Sequence, residues 1–343
     1  MRAIVKTERG AGAELRDLPV PKPPHDGVLV RIKAVSICGT DFHVYNWDPW
    51  AEHRVKPPVT MGHEWAGEVV EAGPECTSLK PGDYVSGESH WVCGHCLQCR
   101  IGQAHVCQNT RIFGVDVDGC FADYFAVPEA SVLKNDRRVS PQVACVQDPL
   151  GNAVHAALAG DIIGKTVAVL GCGPIGLFAI AVVKAVGGGP VWATDTGDYR
   201  LDIARRLGAE HVLKVPQDDV EAAVAQGTEA GHGVDVVLEM SGAPSAIQQA
   251  MRLARPGGRV SLMGIPSKPV MLDIAEDVIF KGLTVQGIVG RRLYETWYTM
   301  KALLSSGRLD VTPILTHRMP FEEYAEAMEL IRSGNCGKIV LTL

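Results

Sequence analysis

The sequence predicts an α/β protein in which a β-rich N-terminal domain precedes a doubly wound parallel sheet. A chain of 343 residues has room for about two domains, each large enough to bury its own core. Up to about residue 143, short apolar runs are separated by glycine and proline turns, whereas strands alternate with helical segments after about residue 149. This change in pattern marks the predicted domain boundary.

In the N-terminal domain, the strand predictions depend on short apolar runs such as residues 28–35 and 68–71. Turns such as Pro81-Gly82-Asp83 separate these runs, and helical periodicity is scarce. A β-rich domain is therefore expected up to about residue 148.

In the second domain, the strands predicted by apolar runs lie at 166–171, 191–195, 234–240 and 259–264, with helical segments between them. After residue 290 come two amphipathic stretches, the first around Trp297 and the second at 321–331, and then a last strand at 338–343. The predicted domains are 1–148, 149–290 and a C-terminal segment, 291–343, that returns to the first domain.

The charge balance restricts the class of partner. The chain has 33 Lys and Arg against 39 Asp and Glu, a formal charge of −6, and no basic run that could follow a phosphate backbone. The first twenty residues are charged and lack an apolar region, so a cytoplasmic location is expected. The longest uncharged stretch, 166–183, is interrupted by glycines and a proline, which argues against a membrane partner.

A dinucleotide site is predicted where the strand 166–171 runs into Gly171-x-Gly173-x-x-Gly176 and an apolar helix. The glycines permit a tight turn, close approach to a pyrophosphate and close helix packing. Asp195 ends the next strand, 19 residues after Gly176, where a carboxylate would bind ribose hydroxyls and favour NAD over NADP. The alternative is an ordinary βα corner with Asp195 as a helix cap. Arg200 fits either the adenosine end of the cofactor or a surface pair with Asp195.

Four cysteines lie within a lobe at about residues 90–110. Their spacing, C-x2-C-x2-C-x7-C, allows four thiolates to surround one ion, and a closed set of four sulfurs predicts a structural zinc. An iron–sulfur cluster is the competing interpretation. His95 and His105 are interpreted as loop residues. The predicted ligands are Cys93, Cys96, Cys99 and Cys107.

A second, dispersed set of metal-ligand types consists of Cys38, His63 and Glu64. Three protein ligands with one open position define a catalytic zinc site, although alone such a set could equally be a buried cysteine and an ordinary charge pair. Thr40 and His43 follow Cys38 closely and offer a hydroxyl and a titratable imidazole for a proton path. Asp148 could be a fourth ligand or could hydrogen-bond to zinc-bound water.

These motifs, in this order, resemble those of the zinc-dependent medium-chain dehydrogenases. The resemblance covers the whole chain and includes GHEWAGEVVEAG, the four-cysteine lobe and GCGPIG. It implies a GroES-like catalytic domain formed with the C-terminal tail, a Rossmann domain between them, NAD and two zinc ions per subunit, and a homotetramer. Where the alcohol dehydrogenase branch has a second cysteine, this chain has Asp148, and nearby Cys145 keeps the ligand set open.

The resemblance also implies roles for individual residues. It implies catalytic zinc ligation by Cys38, His63 and Glu64, a proton relay of Thr40 and His43, and a tuning role for Asp148. The NAD contacts that it implies are Ile175, Asp195, Arg200, Met263, Gly264, Ile265, Ile288 and Val289.

Longer strings, including DPLGNAVHAAL, LEMSGAP and GRRLYETWY, are similar to the branch that oxidises the side-chain hydroxyl of L-threonine. Arg291, Arg292 and His90 are open candidates for binding such a substrate. The alternatives are a polyol or secondary-alcohol dehydrogenase of the same family, and a non-catalytic sensor that binds zinc and nucleotide.

Overall fold

The computed structural model describes residues 1–343, and the chain divides into two units. Unit 1 contains Met1–Pro149 and Leu315–Leu343, and unit 2 contains Leu150–Ile314. The chain returns to unit 1 at Leu315 rather than at the predicted residue 291. The first amphipathic stretch after residue 290 is a helix that buries Trp297 and Met300 in unit 2. Its periodicity indicates an apolar face but not the unit against which that face packs.

Unit 1 is built from short strands and short helices. Its elements are β1 Arg2–Lys6, β2 Glu14–Asp17, β3 Gly27–Ser36, α1 Gly39–Asn46, α2 Pro49–Arg54, β4 Val59–Thr60, β5 Glu64–Ala72, β6 Tyr84–Gly87, β7 His90–Trp91, α3 Leu97–Arg100, β8 Arg111–Ile112, β9 Tyr124–Pro128, β10 Val132–Lys134 and α4 Pro141–Ala144. Helix α5, Gln147–Ala157, begins in unit 1 and ends in unit 2.

Unit 2 alternates strands with helices. Its elements are β11 Val167–Leu170, α6 Pro174–Ala185, β12 Val191–Asp195, α7 Asp198–Arg206, β13 His211–Lys214, α8 Val220–Gly227, β14 Val234–Glu239, α9 Pro244–Leu253, β15 Ala254–Leu262, β16 Thr284–Gly287 and α10 Glu295–Ser305. The chain then re-enters unit 1 through β17 Leu315–Pro320, α11 Tyr324–Ser333 and β18 Lys338–Thr342.

The main sheet of unit 1 has seven strands in the order β10-β6-β5-β3-β18-β17, with β9 also paired to β3. Strand β18 pairs antiparallel with β3, so the C-terminal strand completes the N-terminal sheet, as the sequence predicts. The register of β3 on β5 places Ser36 opposite Glu64. The core of this unit is apolar and includes Val30, Trp65 and Phe121. This sheet carries the metal-ligand types discussed below.

The sheet of unit 2 has six strands, all parallel, in the order β13-β12-β11-β14-β15-β16. This is the Rossmann order, whose topological switch point lies between the first and fourth strands of the sheet, here β11 and β14. The predicted strands at residues 166–171, 191–195, 234–240 and 259–264 are all present. Strands β13 and β16 and helix α8 were not anticipated. Both strands are short and lack a strong apolar pattern, because β13 is only partly buried and β16 is mostly exposed. No helix has the length and apolar character that crossing a bilayer requires.

Candidate active site

Strand pairing in unit 1 brings together one set of metal-ligand types. Ser36 and Glu64 are register partners on β3 and β5, so Cys38 and His63 lie beside the same end of the sheet. One ligand atom from each of Cys38, His63 and Glu64 lies within 4.8 Å of the others. A thiolate, an imidazole and a carboxylate in this proximity match the donor chemistry of a zinc site with an open position. Sequence separation alone could not show this convergence.

Asp41 supports two of these residues and was not predicted from the sequence. One of its carboxylate oxygens accepts a hydrogen bond from the Cys38 backbone N–H at 2.8 Å, and the other lies 3.5 Å from Nδ1 of His63. At this distance the two atoms form no hydrogen bond, so the Asp41 carboxylate acts on the imidazole through its charge. Burial lowers the pKa of His63, but the interactions of the ring with Asp41 and Cys38 outweigh burial, and the pKa is raised. The available signal was an aspartate one helical turn after Cys38.

Glu64 has partners that the sequence did not indicate. Its carboxylate is fully buried and accepts hydrogen bonds from the Ser36 hydroxyl and from Nζ of Lys338, the latter at 2.8 Å. Lys338 lies on β18 and also donates to the Ile37 carbonyl at 2.8 Å. Burial raises the pKa of Glu64, and Lys338 opposes that shift. Glu64 is therefore a carboxylate held in place by a lysine from the opposite end of the chain.

The predicted relay residues lie on α1. Thr40 and His43 are three residues apart, which places them on the same face of the helix. The imidazole of His43 is mostly exposed, and its Nδ1 lies 2.5 Å from a carboxylate oxygen of Asp48. The hydroxyl of Thr40, the imidazole of His43 and the carboxylate of Asp48 therefore follow one another along the chain. The role of Asp48 was not predicted.

Asp148 lies outside the group of three close ligand atoms. One of its oxygens accepts a hydrogen bond from the Ser89 backbone N–H at 3.0 Å, and its charge contributes to raising the pKa of Glu64. The rival residue Cys145 is buried, and its thiol donates to the carbonyl of Gln142 at 3.3 Å. This geometry favours Asp148 as a residue that acts on the site from outside the ligand set, and Cys145 as a packing residue.

The four cysteines of the lobe converge as their spacing predicts. Cys96 lies 3.5 Å from Cys99 and 3.8 Å from Cys107 between sulfurs, and Cys107 lies 3.6 Å from Cys93. These separations are too long for disulfides and match the edges of a tetrahedron with metal–sulfur bonds of about 2.3 Å. Hydrogen bonds lower the pKa of the Cys93 thiol to about 5, and the backbone N–H of His95 contributes most to this shift. The lobe therefore fits a structural zinc.

The glycine turn of unit 2 has the geometry of a dinucleotide loop. Gly171 has φ +96°, and a Cβ there would lie 2.8 Å from the side chain of Ser241. A Cβ on Gly176 would lie 1.9 Å from the Gly171 carbonyl, so the third glycine permits α6 to pack on the turn. Gly173 is the N-cap of α6, and no protein atom lies within 4 Å of where its Cβ would be. A pyrophosphate can therefore approach the backbone at the start of α6. Ile175 lies in the first turn of that helix.

Asp195 is held against this turn at the end of β12. Its carboxylate accepts the backbone N–H of Cys172, inside the glycine motif, at 2.8 Å and that of Gly197 at 2.9 Å. Two backbone donors orient the carboxylate beside the loop, as ribose recognition requires. Arg200 lies on the following helix, α7, and is half-buried.

The other predicted cofactor contacts follow the carboxyl ends of β15 and β16. Because the sheet is parallel, these ends share one edge with Gly171 and Asp195, where ligands of such sheets bind. The Met263 and Gly264 backbone N–H groups donate to the Glu239 carbonyl, which holds this loop next to β14. Ile265 and Val289 are exposed, whereas Ile288 is buried. All five predicted positions, Met263, Gly264, Ile265, Ile288 and Val289, lie at this edge.

Comparison with known protein families agrees with this architecture. Residues 24–137 match the alcohol dehydrogenase GroES-like domain, and residues 174–306 match the zinc-binding dehydrogenase family. The chain belongs to the zinc-binding dehydrogenase family and is an NAD-dependent oxidoreductase with zinc as its second cofactor.

Individual relatives are similar over their full lengths. The chain is 52% identical to L-threonine 3-dehydrogenase of Pyrococcus abyssi, with 100% of this chain and 99% of the relative covered. It is 50% identical to L-threonine 3-dehydrogenase of Caldanaerobacter subterraneus, with 99% and 98% covered. A solved structure described as a short chain alcohol dehydrogenase of Escherichia coli CFT073, complexed with NADH, superposes with a TM-score of 0.91 at 29% identity, covering 100% and 99%.

Proposed function

We propose that the chain is an L-threonine 3-dehydrogenase, which oxidises the hydroxyl of L-threonine to give 2-amino-3-oxobutanoate and NADH. The observation that carries this proposal is the identity of about half of all residues, end to end, with enzymes of that name. The clusters of metal ligands and the glycine turn supply the matching chemistry. When bound, zinc provides a Lewis acid for the substrate hydroxyl, and NAD accepts a hydride from the same carbon.

The protein residues have separate tasks in this reaction. Cys38, His63 and Glu64 would hold the catalytic zinc, and Asp41 places a negative charge 3.5 Å from the imidazole of His63. The substrate proton leaves through the Thr40 hydroxyl to His43, whose exposed imidazole passes it to solvent.

The cofactor and the second metal have their own residues. The Gly171–Gly176 turn binds the pyrophosphate of NAD, and Asp195 binds the ribose hydroxyls. Asp148, whose carboxylate accepts a hydrogen bond from the backbone N–H of Ser89, adjusts the proton affinity of the relay residues. The structural zinc is held by the four cysteines of the lobe, Cys93, Cys96, Cys99 and Cys107.

The substrate assignment is tested by initial rates of NADH formation on zinc-loaded protein. L-threonine is compared with allo-threonine, sorbitol and butane-2,3-diol, each with NAD and with NADP. We expect a strong preference for L-threonine with NAD. Activity on the diols alone would retain the zinc and hydride chemistry but refute the threonine assignment, and no activity on any of the four would refute it as well.

Asp195 is expected to determine the preference for NAD. Asp195→Asn keeps an acceptor oxygen for only one of the N–H groups of Cys172 and Gly197, which bind different carboxylate oxygens, and it removes the charge that ribose hydroxyls favour. A lost hydrogen bond to a charged group costs about 1.5–3 kcal/mol, so kcat/KM for NAD should fall roughly 10- to 100-fold. The matched control is Asp198→Asn, which removes an exposed carboxylate that lies three residues further along, on α7, and pairs with Lys214 on β13. An unchanged ratio of NAD to NADP activity in Asp195→Asn would contradict the assignment.

The proposal includes a homotetramer in the cytoplasm. Strand β16 is an edge strand of the unit 2 sheet, and apolar side chains near it are exposed. Such an edge favours association with another copy of the chain. No disulfide joins any of the ten cysteines, which suits a reducing compartment. The exposed apolar side chains are Met271, Ile274, Ile279, Phe280 and Val285. Sedimentation analysis would give the number of subunits.

A further inference from the structure

The turn after α1 brings an unassigned carboxylate to the relay histidine. Helix α1 ends at Asn46, and Trp47 takes the left-handed conformation, with φ 57° and ψ 51°. Its N–H returns to the carbonyl of His43, and the chain reverses so that Asp48 lies beside the imidazole. A bulky residue rarely adopts this conformation, which costs about 1–2 kcal/mol. The turn is therefore maintained against an intrinsic cost.

Tertiary contacts maintain this turn. The ammonium of Lys6 lies 5.0 Å from the centre of the Trp47 ring and donates to the Gly12 carbonyl at 2.6 Å. Lys6 is buried, so this cation is held at one position under the indole. Strained backbone that its surroundings hold in place is concentrated at functional sites. The contacts of Lys6 therefore offset the cost of the Trp47 conformation. The turn that they maintain fixes the position of Asp48.

The two oxygens of Asp48 have different partners. Oδ1 accepts the backbone N–H of Ala51 at 3.0 Å and caps the start of α2, while Oδ2 lies 2.5 Å from Nδ1 of His43. Partial burial opposes ionisation, but the hydrogen bonds from Ala51 and His43 outweigh it and lower the pKa of Asp48. An ionised carboxylate can only accept, so Nδ1 of His43 carries a hydrogen, and Nε2 of a neutral ring is the acceptor.

We infer that Asp48 is a positioning residue for the proposed relay: it selects the tautomer of His43 in which Nε2 accepts the proton from Thr40. The inference depends on the proposed function only through that relay. Trp50, on α2, lies beside the imidazole, with 6.1 Å between the ring centres and a tilt of 60°. After proton uptake, the carboxylate also stabilises the imidazolium. The exposed imidazolium of His43 then releases a proton to water.

The cap and the positioning role are separated by Asp48→Asn. Asparagine is as good an N-cap as aspartate, so the bond to Ala51 is kept and α2 should remain folded. With its oxygen on Ala51, the amide presents its NH2 group to Nδ1 of His43 and selects the opposite tautomer. We expect kcat to fall about 10- to 100-fold with little change in KM for either substrate. Adding imidazole to the buffer should restore part of kcat, because an external base can replace an exposed one.

Asp116→Asn is the matched control. Asp116 also pairs with α2, through two hydrogen bonds to Arg54 at 3.0 and 2.7 Å, but it does not contact His43. Its kcat should stay near that of the wild type and should not respond to imidazole. Asp48→Ser provides a second test, since serine keeps the cap but is too short to reach His43, and it should behave like Asp48→Asn.

The outcomes distinguish this inference from the proposed function. If Asp48→Asn retains kcat within twofold, or loses activity without a response to imidazole, Asp48 is only a helix cap and the inference is wrong. If the wild type oxidises butane-2,3-diol but not L-threonine, the proposed function fails, and the same variants are assayed with the diol. If Asp116→Asn shows the same loss and rescue, the effect belongs to α2 as a whole and the inference is also overturned.

Discussion

Replacing Cys38 with alanine is expected to lower kcat by at least about 10³-fold and to reduce the zinc content from two ions per chain to one. The thiolate is one of only three ligand atoms in the cluster with His63 and Glu64. Zinc lowers the pKa of a bound water from about 16 to about 7, and a substrate hydroxyl depends on the same Lewis acidity to lose its proton near neutral pH. The measurements are kcat with the preferred alcohol and the zinc content by mass spectrometry.

Cys145→Ala is the matched control for Cys38→Ala. Cys145 is a buried cysteine that donates to the carbonyl of Gln142 and lies outside the cluster. The substitution should retain two zinc ions and kcat within a few-fold, at a small cost in packing. A loss of one zinc ion in Cys145→Ala, together with two retained in Cys38→Ala, would reverse the assignment of the ligands.

Replacing Lys338 with methionine is expected to lower the free energy of unfolding by about 3–5 kcal/mol. Lys338 is 2% exposed and Glu64 is 0% exposed, and Nζ lies 2.6 Å from one carboxylate oxygen. Burial opposes a charge on Lys338, but Glu64 outweighs it and raises the pKa of the ammonium. Methionine fills a similar volume but leaves the carboxylate buried without a counter-ion. The measurement is thermal unfolding of protein from whose catalytic site zinc has been removed with a chelator, and the midpoint should fall by at least about 5 °C.

Lys33→Met isolates the effect of burial. Lys33, on β3, pairs at 2.8 Å with Glu68, which lies on β5 like Glu64, but both side chains are partly exposed to water. An exposed pair contributes about 0–1 kcal/mol, so this variant should unfold close to the wild-type midpoint. Equal midpoint shifts for Lys33→Met and Lys338→Met would show that the buried pair has no special role.

The local motifs of this protein could be predicted from the sequence. The four cysteines lie within fifteen positions, and the three glycines within six, so their geometry depends on short segments of backbone. The alternation of strands and helices after residue 149 likewise predicted a parallel, doubly wound sheet, because right-handed crossovers leave few arrangements for such a pattern. The segment after residue 290 was assigned to the wrong unit, since an amphipathic helix indicates an apolar face but not its partner.

The partners of the catalytic cluster were decided only by the tertiary structure. Lys338 is 274 residues from Glu64, and the two meet because β18 pairs with β3, a contact that no local pattern encodes. Asp48 reaches His43 because Trp47, after α1, adopts a left-handed conformation, and Lys6 supports that conformation from β1. The sequence by itself determined which chemical groups this protein has and the two folds that carry them. The tertiary structure decided which charges surround those groups, because electrostatic interactions depend on distance and burial rather than on position along the chain.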